Sequence, residues 1–268
     1  LCCLLDYHRS VFQGLREGYD NGAGKGIQLA IAMVLKAVLF DFNGVIINDE
    51  PLHQKLIEDL LLAENLRPKP EEYRQICLGR SDRACLRDLF ERRGRILSEE
   101  QLTKLIERKS QAYQQQLAQL EKLPVYVGLS DLIFQIRAAQ LPMGVVSGAV
   151  RAEIELVLNR VDLAQHFTVI VAGDEIATSK PDPTGYLLAV DRLNQQLPDL
   201  HLQPHECLAI EDTPAGIQAA KRAGMQVVGV ANTYPYHMMQ RQSNWAVDYL
   251  SELELDRVRA VYEQRQAA

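Results

Sequence analysis

Val38-Leu39-Phe40-Asp41-Phe42-Asn43-Gly44-Val45 is the stretch on which the reading of this chain turns. A short, wholly apolar run ends on a carboxylate, and Asn-Gly follows. Such runs, rich in branched residues and bounded by turn signals, read as strands buried on both faces of a parallel sheet. In open sheets of that kind ligands bind beyond the carboxyl ends of the strands. An acid at that point neither suits the core nor continues the strand, so Asp41 is a candidate for chemistry.

Working outward, four further runs have the same texture: 143–146, 169–171, 207–210 and 227–230. Helical patterns separate the later ones, and this alternation predicts an α/β fold with a doubly wound, Rossmann-like parallel sheet. The clearest helix follows Thr213, with Pro214 in its first turn, Lys221 and Arg222 in its last and Gly224 after it. Between the first two strands lie four amphipathic stretches, 51–64, 70–77, 82–93 and 98–122, with no strand signal among them. The expected division is therefore an α/β core over 33–49 and 125–268, an all-helical insert over 50–124, and an N-terminal extension over 1–32. Gly24-Lys25 in that extension is no phosphate loop, because Tyr19 and Gly26 stand where Gly and Ser or Thr are needed. After Asn232 a loop is expected, then a helix over 251–264, with Trp245 used in packing.

Composition excludes several classes. The 268 residues are 47% hydrophobic and 24% charged, with a formal net charge of -6. That is ordinary globular composition, and it lacks the basic face a nucleic-acid binder requires. No run approaches the roughly 18 apolar residues of a membrane span, and the first residues lack the pattern of a secretion signal. Cys2, Cys3, Cys77, Cys85 and Cys207 are odd in number, scattered and without metal-ligand spacing, which points to reduced thiols. A cytoplasmic monomer is expected, with no nucleic-acid or membrane partner.

The residues just past each apolar run carry the chemistry. Asp41 and Asn43 follow the first, Ser147-Gly148 the second, Ser179-Lys180-Pro181-Asp182 the third, and Glu211-Asp212 the fourth. Three carboxylates packed at one edge would repel one another unless a cation joined them. Oxygen ligands of this kind suit magnesium, Mg2+, which is held by one or two carboxylates together with substrate phosphate. Asp41 could then act as a nucleophile, dividing one hard displacement into two easier ones, while Ser147 and Lys180 bind the phosphoryl oxygens. Taken singly these residues have plainer uses: Asp212 and Ser147 as aids to helix starts, Lys180 as a solvated surface lysine, Asp182 as a helix cap.

Taken together, the segment from Val38 to Ile46, Ser147, Lys180-Pro181, and Glu211-Asp212-Thr213-Pro214-Ala215-Gly216-Ile217 resemble the four ordered motifs of the haloacid dehalogenase superfamily. The helical insert, with Asp49-Glu50-Pro51-Leu52-His53 and Gly79-Arg80-Ser81, is similar to the cap of its β-phosphoglucomutase and phosphoglycolate-phosphatase branch. The resemblance implies that Asp41 is nucleophile and metal ligand, and that the Asn43 backbone carbonyl, Glu211 and Asp212 complete a Mg2+ site. It implies that Ser147, Gly148 and Lys180 bind phosphate. It also places His53, Gly79, Arg80, Ser81, Arg83 and Lys109 near the substrate, although a solvated helical face would equally explain Arg80, Arg83 and Lys109.

One position departs from the family pattern. The superfamily carries a second aspartate two residues after the nucleophile, an acid and base for the leaving oxygen and the incoming water. Here Asn43 stands there, keeping the shape but unable to exchange a proton at neutral pH. A mutase needs that proton transfer in both half-reactions, whereas a phosphatase acting on a good leaving group needs less help. The expected function is a magnesium-dependent phosphatase acting through an aspartyl-phosphate on a small phosphorylated metabolite. A sugar-phosphate mutase and a weakly active phosphate-ligand-binding protein are the alternatives.

Overall fold

β1 (Ala37–Phe40) has every side chain fully buried, and alternation along it serves two cores. Val38 and Phe40 join one apolar cluster, Ala37 and Leu39 another. The computed structural model describes residues 34–264, so the extension expected over 1–32 and the cysteines Cys2 and Cys3 lie outside the described residues. Five more strands pair in parallel with β1 at the centre: β2 (Met143–Val146), β3 (Phe167–Val171), β4 (Cys207–Glu211), β5 (Gln226–Val230) and β6 (Trp245–Val247). Their order among the described residues is β3-β2-β1-β4-β5-β6. The chain starts in the middle, builds outward through β3, then returns to the other side of β1. That reversal opens a crevice between the carboxyl ends of β1 and β4, where ligands of doubly wound sheets bind.

The insert that follows β1 contains the helices α1 (Glu50–Ala63), α2 (Glu72–Ile76), α3 (Asp82–Glu91) and α4 (Glu99–Ala118). Their starts follow from local chemistry. Ser98 and Gln101 form a capping box at α4, and the Ser81 hydroxyl accepts the Ala84 N–H at α3. These helices share an apolar cluster of their own, including Ile57, Leu61, Leu86, Phe90 and Leu102, while Leu56, Tyr113 and Leu117 join the cluster beneath the sheet. Two chain passages connect the insert to the sheet, and they are paired. Ile47 bridges Val125, the Asn48 N–H donates to Pro124 O at 2.8 Å, and the Tyr126 N–H to Ile46 O at 3.1 Å.

The remaining helices cover the sheet. α5 (Leu129–Ala138), α6 (Arg151–Arg160) and α10 (Leu255–Gln264) contribute to the cluster containing Phe40. α7 (Thr184–Gln196), α8 (Pro214–Arg222) and α9 (Tyr236–Gln242) contribute to the one containing Leu39. α8 starts as its sequence predicts: Thr213 Oγ1 accepts the Gly216 N–H at 3.1 Å, and Pro214 occupies the first turn.

Two expectations are corrected. The segment after Asn232 is no simple loop, because it contains α9 and the edge strand β6, and the last helix begins at Leu255 rather than Ser251. β6 has three residues, too few to show a period, and a 3₁₀ turn at Leu250–Glu252 precedes the helix. The second correction concerns the thiols: Cys77 and Cys85 are bonded to each other. The turn from α2 into α3 brings their Cα atoms to 4.6 Å, a proximity that spacing alone does not reveal. Among the described residues no helix is long and apolar enough to cross a membrane.

Candidate active site

Backbone ladders aim the acids. The Asp41 N–H continues the β1–β4 pairing by donating to Ile210 O at 2.9 Å, so Asp41 emerges beside Glu211 and Asp212. Ligand oxygens of these three buried carboxylates all lie within 4.8 Å of one another. Lys180 arrives from the segment between β3 and α7. Its Nζ sits 2.8 Å from Asp41 Oδ1 and 2.7 Å from Glu211 Oε1. The Phe42 N–H also donates to Asp41 Oδ1, at 2.7 Å, and the Tyr186 hydroxyl donates to Glu211 Oε1 at 2.5 Å. Gly44, at φ +76°, leaves the room this crowding needs, since a Cβ there would come within 1.8 Å of Asp212 Oδ2.

Three carboxylates face one ammonium, so with all of them ionised two negative charges would be left over in a water-poor place. Burial pushes Glu211 up to about 8, with the Asp41 charge adding to the shift and Lys180 opposing it. Burial, then Asp41 and Glu211, push Asp212 well above the carboxylate range, against a weaker pull from the Thr233 side chain. Burial alone would lower Lys180, but Asp41 and Glu211 more than reverse that and raise it. Glu211 Oε2 and both Asp212 oxygens are buried without a donor at normal hydrogen-bond geometry. Buried acceptors of this kind are costly unless something satisfies them. A divalent cation with a preference for oxygen matches both the charge excess and the orphaned oxygens, and magnesium fits this donor set.

Asn43 projects over the same edge and is held on several sides. Its Nδ2 lies 3.0 and 3.1 Å from the two Asp49 carboxylate oxygens and 3.0 Å from His53 Nε2. Asp49 also accepts the Tyr113 hydroxyl at 2.5 Å, and the His53 ring stacks on Tyr113 with centroids 4.7 Å apart. Ser147 Oγ accepts the Ala149 N–H at 3.0 Å and reaches Asn43 Oδ1 at 3.5 Å. Its contact is thus with the turn before α6; that helix starts after Val150 without a side-chain cap.

The helical insert closes the top of the pocket through its 79–81 turn. The Ser81 N–H donates to Ser179 Oγ at 2.8 Å. A Cβ on Gly79 would meet Thr213 Oγ1 at 2.7 Å, and one on Gly148 would meet Arg80 and Ser81 backbone atoms at 2.9 Å. Glycine on both sides permits this approach. Gly148→Ala is therefore expected to hold the turn away from the strand edge and lower kcat/KM by about 10²-fold, the cost of an ångström-scale misplacement. Steady-state kinetics beside a melting curve checks this, because Tm is expected to stay close to that of the unmodified protein.

Of the residues expected near the substrate, His53, Gly79, Arg80 and Lys109 line the pocket above Asp41, and Ser81 anchors its rim. Arg83 is not brought there: it pairs with Glu99 and borders a neighbouring cleft. Lys109 is buried rather than solvated, and it is paired with Asp82 and Glu153. Sequence reasoning passed over Asp49, Asp82, Tyr113 and Glu153 as partners. The four-residue spacings of Asp49 with His53, and of Lys109 with Tyr113, were the available signal, since each places two residues on one helix face.

A doubly wound sheet with convergent carboxylates and a buried lysine at its switch point is an arrangement suited to phosphate chemistry. The profile of the haloacid dehalogenase-like hydrolases matches residues 38–230, and the chain belongs to that family. Protein CbbY of Rhodobacter capsulatus is 29% identical over 226 residues, covering 82% of this chain and 95% of that protein. Beta-phosphoglucomutase of Bacillus subtilis is 28% identical, covering 86% of this chain and 96% of that one. Among solved structures, beta-phosphoglucomutase from Clostridium difficile superposes with a TM-score of 0.74 at 22% identity, over 86% of this chain and 98% of that chain, a likeness of fold. The chain is thus an enzyme of the phosphatase or phosphoglucomutase-like kind within this family.

Proposed function

We propose that this protein is a magnesium-dependent phosphatase that acts on a small phosphorylated metabolite through an aspartyl-phosphate at Asp41. The observation that carries the reading is the cluster of Asp41, Glu211 and Asp212 around unsatisfied oxygens, with Lys180 bridging the first two. Asp41, Glu211, Asp212 and the Asn43 carbonyl would hold the ion. Bound there, the ion lets an anionic carboxylate approach an anionic phosphate and offsets charge on the transferred group.

The chain's own groups then divide the work. The contacts from Phe42 N–H and Lys180 both fall on Asp41 Oδ1, which leaves Oδ2 as the attacking oxygen. Lys180, Ser147 and the backbone around Gly148 bind the phosphoryl oxygens and orient them in line. As the bond from Asp41 Oδ2 to phosphorus forms, the bond to the leaving oxygen breaks. Water then attacks that phosphorus, and the bond to Asp41 Oδ2 breaks to restore the carboxylate. Inorganic phosphate leaves, and the proton released by the water balances the one taken up from solvent by the departed oxygen. Asn43 can hydrogen-bond during both steps but can neither give nor take a proton. That favours hydrolysis of esters with good leaving groups over a mutase cycle, which must deprotonate a sugar hydroxyl.

The test is phosphate release from a panel of phosphate monoesters with magnesium and after chelation. Turnover with magnesium and its loss on chelation are expected. Phosphate release unaffected by chelation would overturn the metal assignment, and interconversion of hexose phosphates without release would favour the mutase.

A further inference from the structure

The part of the pocket wall that the insert supplies has charges that are already matched. Lys109 on α4 is almost wholly buried, with Nζ 2.7 Å from Asp82 Oδ2 and 3.6 Å from Glu153 Oε1. Arg80 turns along the insert, where its Nη1 donates to Ile76 O at 2.9 Å and Asp88 Oδ2 at 2.7 Å. Among the described residues that line this wall, each lysine or arginine is held by a carboxylate, and Asp82 and Glu50 add acids to it. Lys180 is held by Asp41 and Glu211 as well, but it stands beside the carboxylate that would accept the phosphoryl group, whereas the Lys109 and Arg80 part of the wall offers an anion no unmatched cation.

We propose that Asp82 is a specificity-determining residue that bars substrates carrying a second anionic group, so that the enzyme takes phosphate monoesters whose remainder is uncharged and hydroxylated. The proposal rests on the reading of Asp41 as the phosphate-accepting carboxylate. Asp82 is the first residue of α3, immediately after the turn seated on Gly148 and Thr213, so its carboxylate is fixed in place. A second phosphate or a carboxylate at that end would have to displace Asp82 from Lys109, or lie against it. Like charges a few ångströms apart in a partly dry site cost enough to discriminate about tenfold or more. Hydroxyl groups meet no such barrier. Asp82 and Glu50 can accept their protons, and the His53 and Tyr73 side chains border the same space.

The experiment compares kcat/KM of the full chain with magnesium for glucose 6-phosphate, fructose 1,6-bisphosphate and phosphoglycolate. The unmodified protein is expected to favour glucose 6-phosphate at least about tenfold over both substrates with a second anion. Asp82→Asn and Asp82→Ala are each expected to shrink that preference about tenfold by freeing Lys109, and Asp82→Glu to keep it. A merely structural Asp82 would lower all three rates together and leave their ratios unchanged, which would overturn the proposal. Equal or better turnover of the bisphosphate by the unmodified protein would overturn it as well. Phosphate release that survives Asp41→Asn would instead strike the underlying phosphatase reading, so the two failures are distinguishable.

Discussion

Asp41→Asn is expected to lower phosphate release by about 10⁴- to 10⁶-fold, the range that follows loss of a covalent nucleophile. The amide preserves size and planarity, so the fold has little reason to respond. It removes the charge that draws Lys180 to 2.8 Å, and it takes one carboxylate from the set of three. Carbon-bound amide oxygen is a poor nucleophile towards phosphorus, so the first bond does not form. Glu211 cannot take over, since it is fully buried and its Oε1 is shared between Lys180 and Tyr186. Two measurements check the result: phosphate release under saturating substrate, and the mass of acid-quenched protein, in which a phosphoryl adduct is expected on unmodified protein and absent from the variant. Substantial turnover by the variant would show that Asp41 is not the acceptor.

Asn43→Asp is expected to work in the opposite direction, raising kcat on ordinary phosphate monoesters by about 10²-fold, the lower end of what a positioned acid or base supplies. The environment of Asn43 shapes this outcome. Its Nδ2 now lies 3.0 and 3.1 Å from the two Asp49 oxygens. An aspartate there would set carboxyl against carboxyl, and two such groups in contact do not both ionise. One retains a proton, which is the form the leaving oxygen needs. The substitution also replaces a donor with a group repelled by Asp49, so a lower Tm is expected alongside the faster rate. Asn43→Asp combined with Asp49→Asn returns a donor to the pair and is expected to recover stability while keeping the gain. An unchanged or lower rate in both variants would refute the view that position 43 limits turnover.

The strand-end acids were legible in the sequence because a buried parallel strand leaves a simple trace. Three apolar runs, each ending on a chemically active residue, place Asp41, Ser147 and Glu211-Asp212 along one edge once the sheet is assumed parallel. β6 left no such trace, since three edge residues, two of them half-exposed, carry no period. The insert's helices were readable as helices, but their side-chain partners were not. Arg80 binds Asp88 because the turn before α3 folds back along that helix, and Lys109 binds Glu153 because α4 packs against α6. Such pairings depend on tertiary geometry, and charge type alone equally suggested substrate-binding cations. Asp49 was visible beside His53, yet its hold on Asn43 requires β1 and α1 to be joined by a tight turn.

The two passages joining insert and sheet are hydrogen-bonded to one another near Ile47 and Val125. Ribbons stitched side by side resist sliding and bend most readily about a shared line, as a book bends at its spine. Any swing of the helices must therefore move groups in proportion to their distance from that seam. Asp49 follows the seam directly and His53 comes one helical turn later, so both would stay beside Asn43 through such a swing, while the turn before α3 would have to lift off Gly148 and Thr213. In such a swing the groups that begin α3 would travel furthest, and those around Asn43 least.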